Sequence, residues 1–127
     1  MITISVCMIV KDEEMVLERA LKSVERIADE IIIVDTGSTD RTKKIALKYT
    51  DKVYDFVWCD DFAKARNYSF SKATMDYCMW LDADDIISDS DQEGLINLKK
   101  TLSKDTSVVM MKYNAEFDQN NKPTFTY

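Results

Sequence analysis

Tyr77–Ile87, YCMWLDADDII, carries an apolar run from Tyr77 to Leu81 straight into Asp82, Asp84 and Asp85, before apolar residues resume at Ile86 and Ile87. An apolar run this short is the pattern of a buried strand. Carboxylates at its end are costly to bury unless something beyond the strand uses them. In an extended chain Asp82 and Asp84 project to the same side, roughly 6.6 Å apart at ~3.3 Å per residue. Two such charges repel by about 2.5 kcal/mol at an effective dielectric of ~20 and by ~0.6 kcal/mol in bulk water. A divalent cation turns that repulsion into a site, whereas an acidic turn facing water keeps the cost small. The stretch alone leaves both readings open.

Outward from it, the same pattern of apolar run and polar end recurs. Ile2–Val10 is rich in β-branched residues and stops at Lys11-Asp12-Glu13-Glu14, a strand entering a polar loop. Glu30–Asp35, EIIIVD, reads as a buried strand of parallel type, followed by Thr36-Gly37-Ser38-Thr39-Asp40. Gly37 suits a tight turn there, and Ser38, Thr39 and Asp40 suit a helix entry. Lys52–Trp58 and Ser107–Tyr113 read as further strands.

Helical spacing fills the intervals. Val16, Leu17, Ala20, Leu21 and Val24 make one apolar stripe, with Lys22, Glu25 and Arg26 opposite. A second helix runs to about Tyr49, burying Ile45, Ala46 and Tyr49. A third, entered through Asp60-Asp61, runs from Phe62 to about Ala73 and turns Phe62, Ala65, Phe70 and Ala73 inward. Ser90-x-x-Glu93 has capping-box spacing ahead of Leu95, Leu98 and Leu102. Alternating strands and helices predict an α/β sandwich on a mostly parallel sheet. Ligands of such sheets sit at the carboxyl ends of the strands, near a switch in strand order. The clusters Lys11–Glu14, Asp35–Asp40 and Asp82–Asp85 each follow a strand, so they converge on one edge. That convergence favours a site.

The bulk properties narrow the class. The 127 residues fit one domain, 46% hydrophobic and 31% charged, with the composition of a folded globule. A net charge of -6 and the absence of a long Lys/Arg run exclude nucleic acid as a partner. A phosphorylated ligand would need a metal or a local arginine. Cys7, Cys59 and Cys78 are odd in number and lack CxxC spacing; Cys7 and Cys78, inside apolar runs, read as buried free thiols of a reducing compartment. The lack of histidine and of clustered cysteines argues against zinc. The start has no basic n-region and no segment approaches the ~20 apolar residues of a membrane span. The chain is expected to be cytoplasmic, with membrane association only through parts beyond it.

Two glycines, Gly37 and Gly94, are too few for a GxGxxG dinucleotide loop or a P-loop. A phosphoaspartate enzyme built on Asp82 and Asp84 generally wants Gly and Thr behind the second acid, where Asp85 and Ile86 stand. A receiver domain of two-component signalling has this length and acidity, with Asp12, Glu13 and Lys122-Pro123 as superficial matches. Its phosphorylated aspartate should follow the third strand, however, and the strongest acidic motif follows the fourth.

The motifs IVKDEE, IIIVDTGSTDRT, DDFAKARNYSF and WLDADD, in this order and spacing over roughly residues 2 to 90, resemble the donor-binding half of a family-two glycosyltransferase of the A-type fold. Each motif alone is weak, and four in order are specific. The resemblance implies a Rossmann-like three-layer sandwich, here truncated, and transfer of a sugar from a nucleotide-diphosphate donor (a UDP- or GDP-sugar) with inversion. It implies that Val10, Lys11 and Glu13 touch base and ribose, and that Asp35 hydrogen-bonds the base. Arg66 approaches the diphosphate, as a forked cation suits an anion. Asp82 lies near ribose and metal, Ala83 offers its backbone, and Asp84 binds Mn²⁺ or Mg²⁺ directly. Asp85 is then a supporting or helix-entry acid, and Ser38 caps a helix.

Inverting transfer also needs a carboxylate base to deprotonate the acceptor hydroxyl. In the family it comes from the second half of the domain, which the short remainder after Asp85 does not hold. Glu116 and Asp118 stand in an expected hairpin and are not nominated. The expectation is an N-terminal, donor-binding portion, residues 1–127, that transfers no sugar alone. The alternatives are the receiver-like module and a non-catalytic nucleotide-binding module.

Overall fold

The computed structural model describes residues 1–102 and the backbone of 114–117 and 123–126. Four parallel strands form its centre: β1 (Ile4–Val10), β2 (Glu30–Asp35), β3 (Val53–Asp55) and β4 (Tyr77–Trp80), in the order β3-β2-β1-β4. The connecting helices are α1 (Leu17–Val24), α2 (Thr42–Leu47), α3 (Phe62–Lys72) and, after β4, α4 (Asp89–Thr101). A separate antiparallel pair, β5 (Asn114–Phe117) with β6 (Pro123–Thr126), is the expected hairpin. The strand expected at Ser107–Tyr113 lies outside the described residues, as does Lys122.

This strand order settles the receiver alternative. In the flavodoxin-like order β1 lies between β2 and β3. Here β3 pairs with β2, and β1 lies between β2 and β4. The chain therefore winds outward through β3 and returns past β1 to β4. The switch in direction falls between β1 and β4, and the crevice beyond their carboxyl ends is the ligand position of such folds.

Strand alternation sorts the core into two layers. Ile4, Val6, Met8 and Val10 of β1 and Ile31 and Ile33 of β2 pack in one cluster with Leu17, Ala20, Leu21 and Val24 of α1, Ala46 of α2 and Leu95 of α4. On the opposite face Cys7 lies against α3, its Sγ 3.9 Å from the Ser69 carbonyl. Burial pushes the Cys7 thiol up to about 12, with Cys78 and Glu30 adding to the effect. Cys78, by contrast, is exposed, as is Cys59. The expectation of a buried Cys78 fails because β4 is an edge strand among the described residues, with only alternate side chains covered.

Other differences have local causes. β3 is shorter than the expected Lys52–Trp58, in keeping with its position at an edge. The cap of α4 is Ser88, whose side chain accepts from the Asp91 amide at 3.2 Å, not Ser90; Glu93 instead pairs with Arg26 at 2.6 Å. Asp61 caps α3 as expected, accepting from the Lys64 amide. Ala65 and Ser69 are the α3 residues buried on the sheet, which rotates Phe62 out to 42% exposure. No helix among the described residues is long and apolar enough to cross a membrane.

Candidate functional site

The acids of the opening stretch do not run on as a strand. β4 ends at Trp80, the Leu81 amide still bonds to the Cys7 carbonyl at 3.2 Å, and the chain then turns. The turn is closed twice: the Asp85 amide donates to the Asp82 carbonyl at 3.0 Å, and the Asp82 amide donates to Asp85 Oδ2 at 3.2 Å. Ala83 is buried in the core and acts as the pivot, turning the acids that flank it outward. The side-by-side arrangement expected of an extended chain is thus replaced by a tighter one. One carboxylate oxygen each from Asp82, Asp84 and Asp85 lies within 4.8 Å of the others. Asp85 is part of this cluster and not a helix-entry acid, since the helix is entered through Ser88.

The loop after β1 is stitched to the loop after β2. The Asp12 amide donates to Ser38 Oγ at 2.9 Å, and the Thr39 amide donates back to Asp12 Oδ1 at 2.8 Å. The Glu13 amide donates to Thr42 Oγ1 at 2.7 Å, and the Arg41 amide to Glu14 Oε2 at 3.1 Å. Ser38 therefore joins loops and caps no helix. Asp12 takes a positive φ of 51° in this junction. Lys11 is exposed, while Val10 is buried and its carbonyl accepts from both the amide and the hydroxyl of Thr36. The junction also fixes Glu13 near the acid cluster. Burial pushes the Glu13 carboxyl up first, and Asp84, Asp40, Asp82 and Asp12 repel its charge further.

Asp35 ends β2 and is 3% exposed. Its Oδ1 accepts from the Gly37 and Ser38 amides at 2.8 and 2.7 Å, a tight turn in which Gly37 takes a φ of 120°. Its Oδ2 is buried with no partner among the described residues. An orphaned acceptor of this kind is uncommon and calls for an explanation. It lies two strands from β4, about 10 Å at ~4.8 Å per strand.

Arg66, on α3, is the second orphan: its Nε is buried without a partner among the described residues. It makes no ion pair among the described residues. Asp61 is occupied in capping, and Asp60 accepts from Trp58 Nε1 at 3.0 Å. The guanidinium carbon instead lies 3.6 Å from the Trp80 ring centroid and 5.0 Å from that of Phe62. Its charge still reaches Asp82. Burial holds the Asp82 carboxyl up, Asp85 and Asp84 raise it further, and Arg66 pulls it down.

The site thus brings together Glu13, the Asp82–Asp84–Asp85 cluster and Arg66, with Asp35 beyond them along the sheet edge. Sequence reading missed Trp80 and Phe62 as parts of it. The signal was there in the place of Trp80 at the end of the apolar run that leads into the acids, and in the i, i+4 spacing of Phe62 and Arg66. As a cation site the donor set is all oxygen, which suits Mg²⁺ or Mn²⁺. Neighbouring ligand oxygens about 3 Å apart and opposite ones ~4.2 Å apart follow from ~2.1 Å bonds, so only a small contraction of the cluster is needed.

The model of glycosyl transferase family 2 matches residues 5–126. A TPR repeat-containing protein of Synechococcus elongatus is 47% identical over 85 residues, covering 67% of this chain and 21% of its own length. An uncharacterized glycosyltransferase of Rickettsia typhi is 36% identical over 92 residues, covering 72% of this chain and 31% of its own. Among solved structures, S. aureus TarS 1–349 superposes with a TM-score of 0.64 at 26% identity, covering 75% of this chain and 30% of that one. M. tuberculosis glucosyl-3-phosphoglycerate synthase, in complex with Mn²⁺ and UDP-glucose, superposes with a TM-score of 0.58 at 26% identity, covering 67% and 34%. The chain spans about a fifth to a third of the length of these curated relatives.

Proposed function

Because the chain belongs to glycosyl transferase family 2, we propose that it is the donor-binding part of an inverting glycosyltransferase, holding a nucleotide-diphosphate sugar with Mn²⁺ or Mg²⁺. The observation that carries the reading is the buried, unpartnered Asp35 Oδ2. It is an acceptor in want of a donor, and the imide or amide N–H of a nucleobase supplies one. The orphaned Nε of Arg66 has the opposite need, a donor in want of an acceptor, which a phosphate oxygen meets. Near Arg66 stands a cluster of carboxylates that a cation would complement. Base, cation and diphosphate are the three complements, in one ligand.

In this assignment Asp35 orients the base, while Val10, Lys11 and Glu13 border base and ribose. Asp84 and Asp82 hold the cation, with Asp85 closing the turn and Ala83 lending backbone. When bound, the cation neutralises the charge that develops on the diphosphate as the sugar leaves. Arg66 adds a fixed positive charge on the same side, and a cation would offset the repulsion by which Asp85 and Asp84 raise the Asp82 carboxyl. The reading is supported by the neighbour solved with Mn²⁺ and UDP-glucose. The acceptor-binding half and the base lie, on this proposal, outside residues 1–127.

Titration calorimetry with UDP and with GDP, each with and without Mn²⁺ or Mg²⁺, tests it. Metal-dependent heat for one of the two nucleotides is expected. Absence of such heat for both, and for any other nucleotide, would overturn the reading. Asp35→Ala separates base recognition from metal binding, since it should remove nucleotide affinity and leave the cation's own binding in place.

A further inference from the structure

Arg66 has no acidic partner among the described residues, yet it is only partly exposed and its position is defined by two aromatic rings. We infer that Trp80 and Phe62 are positioning residues: a two-ring platform that stacks the Arg66 guanidinium and presents it, unneutralised, to the diphosphate of the bound donor. The inference rests on the assignment of Arg66 to that anion.

The geometry is specific. Trp80 lies 3.6 Å and Phe62 5.0 Å from the guanidinium carbon, measured to their ring centroids. The two rings lie 6.1 Å apart at 59°, and Trp58 braces Phe62 from the other side at 6.4 Å and 64°. Trp58 is in turn held by its indole N–H, which donates to Asp60. These are three large aromatics left 41–42% exposed, which is unusual for a packing role alone. α3 and β4 place them where they are: Phe62 sits one helical turn before Arg66, and Trp80 is the last residue of β4, two residues before Asp82 in the turn.

The alternative way to hold an arginine is a carboxylate, and in a site that must accept a diphosphate it is the wrong one. A carboxylate would take up the N–H donors and cancel the charge that the ligand needs. Ring faces hold the planar cation through its π surface and leave the N–H edge free. The buried Nε without a partner is what such an arrangement predicts of the unliganded protein. Lysine cannot substitute, because it has no plane to stack and no fork.

The test is a double-mutant cycle on the 127-residue chain, read by titration with UDP in the presence of Mn²⁺ and, separately, with uridine. Trp80→Leu should weaken UDP binding by roughly 3- to 30-fold, the range of a cation–π contact, and leave uridine unchanged. Trp80→Phe should restore most of the loss, and Arg66→Ala with Trp80→Leu should bind UDP no worse than Arg66→Ala alone. Losses that add, or a Trp80→Leu protein that binds UDP at full strength, overturn the inference. Equal weakening of UDP and uridine does so as well, since it marks general packing. An Arg66→Ala protein with unchanged UDP affinity overturns the assignment of Arg66 itself, which is a separate failure.

Discussion

Replacing Asp84 by Asn should make the metal-free protein more stable, and this sign is the sharpest consequence of the acid cluster. Three carboxylate oxygens stand within 4.8 Å of one another. At that separation a pair of charges repels by about 0.9 kcal/mol in water and by about 3.5 kcal/mol at an effective dielectric of ~20. Asp82 and Asp84 are exposed, so the lower figure governs. Asp84→Asn removes two of the three pairs and relieves Glu13, whose carboxyl Asp84 also repels. The gain is then about 1–2 kcal/mol, roughly 3–8 °C in Tm for a domain of this size. Salt does not erase it, because the pairs are closer than the ~8–10 Å Debye length. Saturating Mn²⁺ should stabilise the parent by about 2–3 kcal/mol at a hundredfold excess over Kd, and the variant hardly at all. Thermal melts at neutral pH, in chelator and in Mn²⁺, read both effects. A variant that melts below the parent in chelator refutes the electrostatic reasoning. One that still gains from Mn²⁺ refutes the assignment of Asp84 as ligand. The sign is informative because most substitutions destabilise.

Four further outcomes follow from other parts of the molecule. Burial alone would raise the Glu30 carboxyl, but bonds from Lys52, Ser5 and Thr74 outweigh it and hold Glu30 at about 2. Its contribution is therefore complete above pH ~4.5 and is lost as pH falls from there toward ~2. The loss should reach about 2–3 kcal/mol after discounting for the half-exposed Lys52, and denaturant melts across that window of parent and Glu30→Gln should converge at the acid end. Lys99 is buried, with Nζ 2.6 Å from Asp29 Oδ2 and 3.0 Å from the Ile27 carbonyl, so Lys99→Ala should cost about 3 kcal/mol by taking the counter-charge from Asp29, which keeps only the Ile4 amide, and the donor from the Ile27 carbonyl. A thiol reagent at neutral pH should modify Cys59 and Cys78 in the native protein and spare Cys7 until unfolding, which peptide mass mapping reads directly. The 127-residue chain should show no sugar transfer to any acceptor above donor hydrolysis; measurable turnover would show that the base lies within it.

The layers of the fold were legible because its periodicities are strong. Ile4, Val6, Met8 and Val10 alternate through β1, and Leu17, Ala20, Leu21 and Val24 keep one face of α1, so element type and order follow from local pattern. What escaped was everything decided by a partner distant in the chain. Glu30 looks like the polar start of a strand, yet it gathers Ser5, Lys52 and Thr74. Ser38 looks like a helix cap, but the loop after β1 reaches it first. Phe62 looks like a core residue by composition, and only the rotation set by Ala65 and Ser69 turns it toward Arg66. Asp82 and Asp84 were legible as acids at a strand end, whereas the turn that gathers Asp85 with them depends on where β4 stops.

The two ends of the sheet treat charge in opposite ways, and this separates ionic groups answered within the fold from those assigned to the proposed ligand. At the amino end, Glu30 is buried with every oxygen answered, and Asp29 takes the Ile4 amide and the Lys99 ammonium on a single oxygen. In these networks the charges are answered by groups of the fold itself. At the carboxyl end, Asp35 Oδ2 and Arg66 Nε are buried and unanswered among the described residues, and three carboxylates crowd one another. Each of these arrangements costs stability as it stands. A fold tolerates such costs where a ligand later removes them, and natural sequences break local rules chiefly at such places. The unanswered groups are one acceptor, one donor and one anionic cluster, all on the edge where the strand order reverses. A ligand that answers all three must carry an N–H edge, an anion and a cation together, which describes a metal-bound nucleoside diphosphate and few other small molecules.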